Sequence, residues 1–182
     1  MMDYNETRSS DVYVINFGAH YKDGPKDDVQ FKEEISVLLD DMGRLSEKAT
    51  VVWREIAPTH FPSVNASYDN FNLLPESDKK GAFCTGTPPP LLDRNVWVEN
   101  YLKENGLTEK VKVLRIYHMS SFRGSAHKTC HVEPPTAPGR SSSGSQIFIP
   151  LWGTTDCRHW SETGVVEEWN RLLLNHLYPY SA

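Results

Sequence analysis

Residues 11–53 read DVYVINFGAHYKDGPKDDVQFKEEISVLLDDMGRLSEKATVVW, and this stretch decides the fold class. Its first part, DVYVINF at 11–17, is a short apolar run rich in β-branched residues that stops at Gly18, which predicts a buried strand. From Asp27 to Leu45 the apolar residues Phe31, Ile35, Leu38, Leu39, Met42 and Leu45 recur at three- and four-residue steps, the period of a helix with one apolar face. Acidic residues crowd its start, where they suit the positive end of the helix dipole. The cluster Asp27, Asp28, Glu33, Glu34, Asp40 and Asp41 reads as a solvated face. ATVVW at 49–53 is a second strand.

The same alternation continues downstream. Residues 95–105 predict a helix with Val98, Tyr101 and Leu102 on one face and Gly106 as its stop. VKVLRIY at 111–117 alternates and reads as a third strand. A last helix is expected from Val165 to Leu177, with Val165, Trp169, Leu172, Leu173 and His176 or Leu177 facing inward. Strand, helix, strand, helix, strand, helix is the order of an α/β fold, a parallel sheet covered by helices. Two long connections, 54–94 and 118–163, exceed the usual loop length, which marks them as functional or disordered.

Composition bounds the function. A chain of 182 residues, 38% of them apolar, is long enough for one domain with a core. We expect that domain over 11–178, a disordered segment at 1–10, and a mobile loop at 134–145, PPTAPGRSSSGS, within it. The mean hydropathy of -0.52 reads as soluble and globular. A net charge of -5 argues against nucleic acid, because no basic stripe is present to neutralise phosphates. No apolar run approaches the roughly 18 residues of a membrane span, so no membrane contact is expected within this chain. The start MMDYNETRSS lacks the layout of a signal peptide. Cys84, Cys130 and Cys157 are free thiols in a reducing compartment, or one disulfide and a spare in an oxidising one. Two sequons, Asn5-Glu6-Thr7 and Asn65-Ala66-Ser67, tip that balance only slightly.

Ligands of open α/β sheets bind at the carboxyl ends of strands, so the residues that follow each strand are the candidates. After the first come Gly18, Ala19, His20 and Tyr21. After the second come Arg54, Glu55, Pro58, Thr59, His60 and Phe61. After the third come His118, Ser120, Ser121, Arg123 and His127. Polar residues follow strands in any protein, because loops are wet. The sharper signal is Asp156-Cys157-Arg158-His159-Trp160, just ahead of the last helix. A carboxylate three residues before an imidazole can accept its ring N–H. That fixes the tautomer and leaves the other nitrogen as a general base.

At this point a family pattern emerges. The run TTDCRHWSETGVVEEWNRLLLNHLY resembles the end of the trichome-birefringence-like and related PC-esterase proteins of the SGNH (GDSL-like) hydrolase superfamily. Their Asp-x-x-His motif, within Asp-Cys-x-His-Trp and ahead of a Trp-Asn helix, is matched by Asp156, Cys157, His159, Trp160, Gly164, Trp169 and Asn170. DVYVINFGAHY resembles the family's strand ending in Asn-x-Gly-His, and WREIAPTHF its Arg-x-x-Ser-Pro-x-His-Phe block. AFCTGTPP and FRGSAH resemble further segments in the same order. The resemblance implies a three-layer α/β/α sandwich with a mainly parallel sheet, expected to be incomplete here because three strands make a thin sheet. It implies acyl-ester chemistry without a cofactor or metal: O-acetyl transfer to, or removal from, a polysaccharide or glycan. In that chemistry His159 would deprotonate a serine and Asp156 would orient His159. Gly18 or its neighbours, His20 among them, would lie near the acyl oxygen, and Arg54 and His60 would line the cleft. The implied location is the Golgi lumen or the exterior. With no signal peptide visible, a cytoplasmic location stays open.

The chain departs from the pattern in two places. The family nucleophile sits in a Gly-Asp-Ser block upstream of the segment matching DVYVINFG, and no Gly-Asp-Ser occurs here. The expectation is a truncated piece of a longer enzyme; the other reading is a degenerate relative. Ser9, Ser10, Ser120, Ser121 and Ser125 are not convincing substitutes. Ser161 stands where relatives often carry a second cysteine, so the resemblance implies that one disulfide of the family is absent here. Cys84 with Cys157 is then the best remaining pair, with Cys130 spare, and three buried thiols are the alternative. Two rival functions are a non-catalytic glycan-binding relative, with Tyr21, Trp53, Phe61 and Trp160 stacking on sugars, and a metal site from His118, His127, Cys130 and His131. The spacing of the latter matches no standard zinc pattern.

Overall fold

All three expected strands form, two of them shorter than their apolar runs. In the computed structural model, which describes residues 6–79, 82–127, 156–161 and 164–178, the elements follow in this order. They are β1 (Val12–Ile15), α1 (Pro25–Leu45), β2 (Thr50–Arg54), a 3-10 turn (Val64–Ala66), α2 (Tyr68–Asn72), α3 (Glu76–Lys79), α4 (Asp93–Glu104), β3 (Val111–Leu114), α5 (Tyr117–Ser120), a second 3-10 turn (Gly124–Ala126) and α6 (Val165–Leu177). The chain divides into two units: Met1–Pro58 with Pro89–Ser120 and Glu168–Ala182, and Thr59–Pro88 with Ser121–Glu167.

The first unit carries the sheet. Its order is β1-β2-β3, all parallel, with Val12 beside Thr50 and Val51 beside Val111. α1 starts at Pro25, whose missing N–H costs nothing in a first turn, with Asp27 and Asp28 at the positive end and Arg44 at the negative end. Its stripe of Phe31, Ile35, Leu39, Met42 and Leu45 is buried against Val51 and Trp53 of β2, Val111 of β3, and Val98 and Leu102 of α4. Each such side chain contributes on the order of 1.5–3 kcal/mol by leaving water. Alternation along β2 turns Arg54 to the opposite face. There its guanidinium lies 5.1 Å from the ring of Trp169 on α6, whose indole N–H donates to Ser120 Oγ at 2.9 Å. Helices therefore cover both faces, giving the three-layer α/β sandwich of SGNH-like proteins.

Two asparagines clamp the chain where it leaves β2. Asn16 donates to the carbonyls of Arg54 and Glu55 at 2.9 and 3.1 Å and accepts from the Arg54 guanidinium at 3.0 Å. Asn95 of α4 is buried; it accepts from Ile56 N–H at 2.9 Å and donates to Ile56 C=O at 3.1 Å. Gly18 has φ +122, and a Cβ there would lie 2.3 Å from Ile56 Cδ1. Only glycine fits this bend.

Several boundaries and burials differ from expectation. β1 is not buried on both faces: Tyr13 and Ile15 pack against the main cluster, while Val12 and Val14 on the opposite face are 41% and 42% exposed. β3 stops at Leu114. Beyond it Tyr117 gives its N–H to Glu55 Oε2 at 2.7 Å rather than to a neighbouring strand, and α5 begins there. On α6, Val165 and Trp169 are buried, Leu173 and Leu177 half-buried, and Leu172 and His176 exposed. The two long connections are not structureless; they hold α2, α3, α5 and both 3-10 turns. The 134–145 segment and residues 1–5 of the N-terminal segment lie outside the described residues.

The second unit holds no strand longer than a bridge among its described residues. Its core gathers Phe61, Phe71, Cys84 and Cys157. The rings of Phe61 and Phe71 lie 5.2 Å apart, and a disulfide joins Cys84 to Cys157 across a Cα separation of 5.3 Å. An antiparallel bridge pairs His127 with Trp160.

Candidate active site

The Asp156–His159 segment is a turn built by its own carboxylate. Asp156 Oδ1 accepts from the main-chain N–H groups of Arg158 and His159 at 3.1 and 2.9 Å. Aspartate favours such local closure, because its short side chain reaches the amides two and three residues on. The other oxygen, Oδ2, lies 2.8 Å from His159 Nδ1. A carboxylate only accepts, so Nδ1 carries the proton and Nε2 presents a lone pair. His159 is exposed, its side chain 64% accessible against 29% for Asp156. Burial works to raise the Asp156 pKa. The His159 amide, the imidazole and the Arg158 amide outweigh it and hold the carboxyl below its ordinary value. Asp156 is thus ionised across neutral pH.

The turn is held from four sides, all within the second unit. The disulfide fixes Cys157 to Cys84, and His60 N–H donates to Cys157 C=O at 3.0 Å. Ser161 N–H donates to Ala126 C=O at 2.9 Å. The guanidinium of Arg158 lies 5.2 Å from the ring of Tyr68. Beneath the turn His127 stacks on Trp160, ring centroids 4.0 Å apart, and its Nδ1 lies 3.2 Å from His159 C=O. His127 Nε2 meets His60 Nδ1 at 2.8 Å, and His60 Nε2 meets Ser121 C=O at 2.9 Å. Burial pushes both imidazoles toward the neutral form, His127 down to about 4. A pocket of about 540 Å³ opens in this unit beside His60, Thr85, Gly86 and Ser121, with the exposed rings of Phe83 and Phe122 at its edge.

Of the residues singled out in the sequence, Asp156, His159, His60, Cys84 and Cys157 belong to the second unit, and Gly18, His20 and Arg54 to the first. His60 is a buried partner of His127 as well as a pocket wall. Ser120 is buried, its hydroxyl donating to Ile116 C=O and accepting from Trp169, so it is occupied structurally. The proposed stacking platform is largely core: Trp53, Phe61 and Trp160 are buried and Tyr21 packs against the main cluster. In the four-residue metal alternative, the ring nitrogens of His127 face His60 Nδ1 and His159 C=O at 2.8 and 3.2 Å, while Cys130 and His131 lie outside the described residues. The sequence reading missed the His60–His127 pair. The two residues stand 67 apart, and no short-range pattern links them.

This geometry carries a family signature. The model of the PC-esterase family, a GDSL/SGNH-like acyl-esterase family found in Pmr5 and Cas1p, matches residues 14–176. The chain belongs to this family. Among curated proteins it is similar to three from Arabidopsis thaliana. Protein trichome birefringence-like 3 is 27% identical over 141 residues, which cover 71% of this chain and 29% of that protein. Protein trichome birefringence-like 12 is 30% identical over 133 residues, 69% of this chain and 29% of that protein. Protein trichome birefringence-like 9 is 26% identical over 137 residues, 72% and 28%. The chain thus matches under a third of the length of these relatives. No solved structure matches it.

Proposed function

We propose that this chain carries the acid–base end of a serine-dependent acyl-ester site, acting on O-acetyl groups of a polysaccharide or glycan in the Golgi lumen or outside the cell. The observation that carries this reading is the Asp156–His159 pair, with Nδ1 on the carboxylate at 2.8 Å and the imidazole side chain exposed. In this chemistry Nε2 takes the proton of a serine hydroxyl as the oxygen attacks the acetyl carbon. Asp156 holds the resulting imidazolium in place, and the proton then passes to the leaving oxygen. The acyl-enzyme is resolved by the same nitrogen, which deprotonates water for hydrolysis or a sugar hydroxyl for transfer. No metal or cofactor is required.

The serine is sought in a longer form of the protein, because these 182 residues contain no Gly-Asp-Ser block. In such a form, His159→Ala abolishes turnover of a chromogenic acetyl ester. Asp156→Asn lowers it by about 10⁴-fold with the fold intact, since an amide no longer selects the Nδ1–H tautomer. Full activity in both variants would sink the reading.

A further inference from the structure

The buried histidines form an unbroken chain of contacts: Ser121 C=O, His60 Nε2, His60 Nδ1, His127 Nε2, His127 Nδ1, His159 C=O, with gaps of 2.9, 2.8 and 3.2 Å. Both ends are carbonyl oxygens, which only accept. Two neutral imidazoles bring two N–H groups, yet the chain has three gaps to fill. If both end nitrogens donate, two bare nitrogens face each other at 2.8 Å. If both inner nitrogens carry protons, two hydrogens collide. The pair therefore has two neutral arrangements. With both rings protonated at Nε2, the contacts to Ser121 and between the rings are made, and His159 C=O is left facing a lone pair. With both protonated at Nδ1, His159 C=O is held and Ser121 C=O is not. A third proton, giving one net positive charge, fills all three gaps.

We propose that His60 and His127 act as a pair of positioning residues for the base-bearing loop, their tautomers locked together, so that the proton arrangement of the pair decides whether the His159 main chain is gripped. The inference rests on the reading of His159 as the general base. The longer contact, 3.2 Å, falls on the His159 side, which fits the Nε2–H arrangement as the neutral ground state. The charged and titratable groups facing His127 are His60, Asp156 and His159. The Asp156 carboxylate favours the third proton; a protonated His159 and burial oppose it. The grip thus tightens when the pair gains a proton, since all three gaps are then filled.

Long-range proton–nitrogen correlation spectra of the ¹⁵N-labelled 182-residue chain read the tautomers directly. Above pH 6.5 both rings are expected as Nε2–H. Toward pH 4 the pair takes up one proton between them, and the Trp160 amide nitrogen, bonded to the His159 carbonyl carbon, shifts with that uptake. Opposite tautomers in the two rings, or two independent titrations at the ordinary imidazole value, would overturn the proposal. In His127→Asn the amide N–H sits near the Nδ1 position and holds the carbonyl at every pH, so the pair-linked shift of Trp160 disappears. In His127→Gln the donor sits near Nε2 instead and the grip is lost throughout. A Trp160 response unchanged in both variants also refutes it. Should a variant not fold, the wild-type tautomers still decide. Ester turnover does not enter these readouts, so failure of the catalytic reading and failure of the pair are told apart.

Discussion

Removal of the Cys84–Cys157 disulfide tests most directly how the candidate site is built. The two cysteines are 73 residues apart, and Cys157 adjoins Asp156. In the chain-entropy treatment, a cross-link closing a loop of that length restricts the unfolded chain by about 15 cal/mol/K, or about 4 kcal/mol at 25 °C. Both sulfurs sit in the small core with Phe61 and Phe71, so replacing both cysteines by alanine adds the loss of some apolar contact. The double variant avoids an unpaired thiol. In urea, with a slope of about 1–3 kcal/mol/M, a loss of about 4 kcal/mol lowers the midpoint by about 1.5–4 M. Hydrogen exchange localises the effect. The amides of His60 and Ser161, which donate to Cys157 C=O and Ala126 C=O, are expected to lose protection most. The amides of α1 in the other unit provide the internal comparison. An unchanged urea midpoint, with exchange at His60 and Ser161 unaltered, would refute the reasoning. So would thiol titration of the untreated unfolded chain that finds Cys84 and Cys157 both free.

Other outcomes follow from single contacts. Leu39→Ala removes a fully buried side chain from the main cluster and is expected to cost about 2–5 kcal/mol in thermal or urea unfolding. Asn95→Ala strands both the N–H and the C=O of Ile56 in the interior, a loss of about 2–4 kcal/mol by the same measurement; a cost under about 0.5 kcal/mol would mean that the clamp is idle. Gly18→Ala meets Ile56 Cδ1 and an unfavourable φ together, and is expected to lower the melting temperature by several degrees. The pH dependence has a definite sign. His127 titrates at 6.5 when unfolded and at about 4 when folded, so its contribution is intact above 6.5 and is lost as pH falls toward 4. At about 1.36 kcal/mol per pH unit, the full loss is about 3 kcal/mol, read as a falling urea midpoint that His127→Asn flattens.

Much of the fold was legible because its signals are local. The three- and four-residue steps of Phe31, Ile35, Leu39, Met42 and Leu45 drew α1, and β-branched runs drew the strands to within three residues at each end. Exposure was harder to read. Val12 and Val14 look like interior residues in a string of letters, but whether one face of a strand is covered depends on which elements pack against it, not on the strand's own composition. The extent of β3 failed for a related reason: Tyr117 continues an alternating pattern, yet a carboxylate 62 residues upstream takes its N–H.

The sequence alone determined the α/β class, the family resemblance and the Asp156–His159 spacing, because each rests on periodicity or on contacts a few residues apart. A carboxylate three positions before an imidazole closes its turn with almost no loop entropy, so the motif announces its own geometry. The family resemblance offered Cys84 with Cys157 against three buried thiols, and the structure decided for the disulfide; the His60–His127 pair across 67 residues and the stacking of His127 on Trp160 came from the tertiary structure alone. These contacts form after distant segments have been brought together by burial, and the letters of neither segment name the other. That is why the Asp156–His159 pair could be read from the chain and the His60–His127 pair beneath it could not.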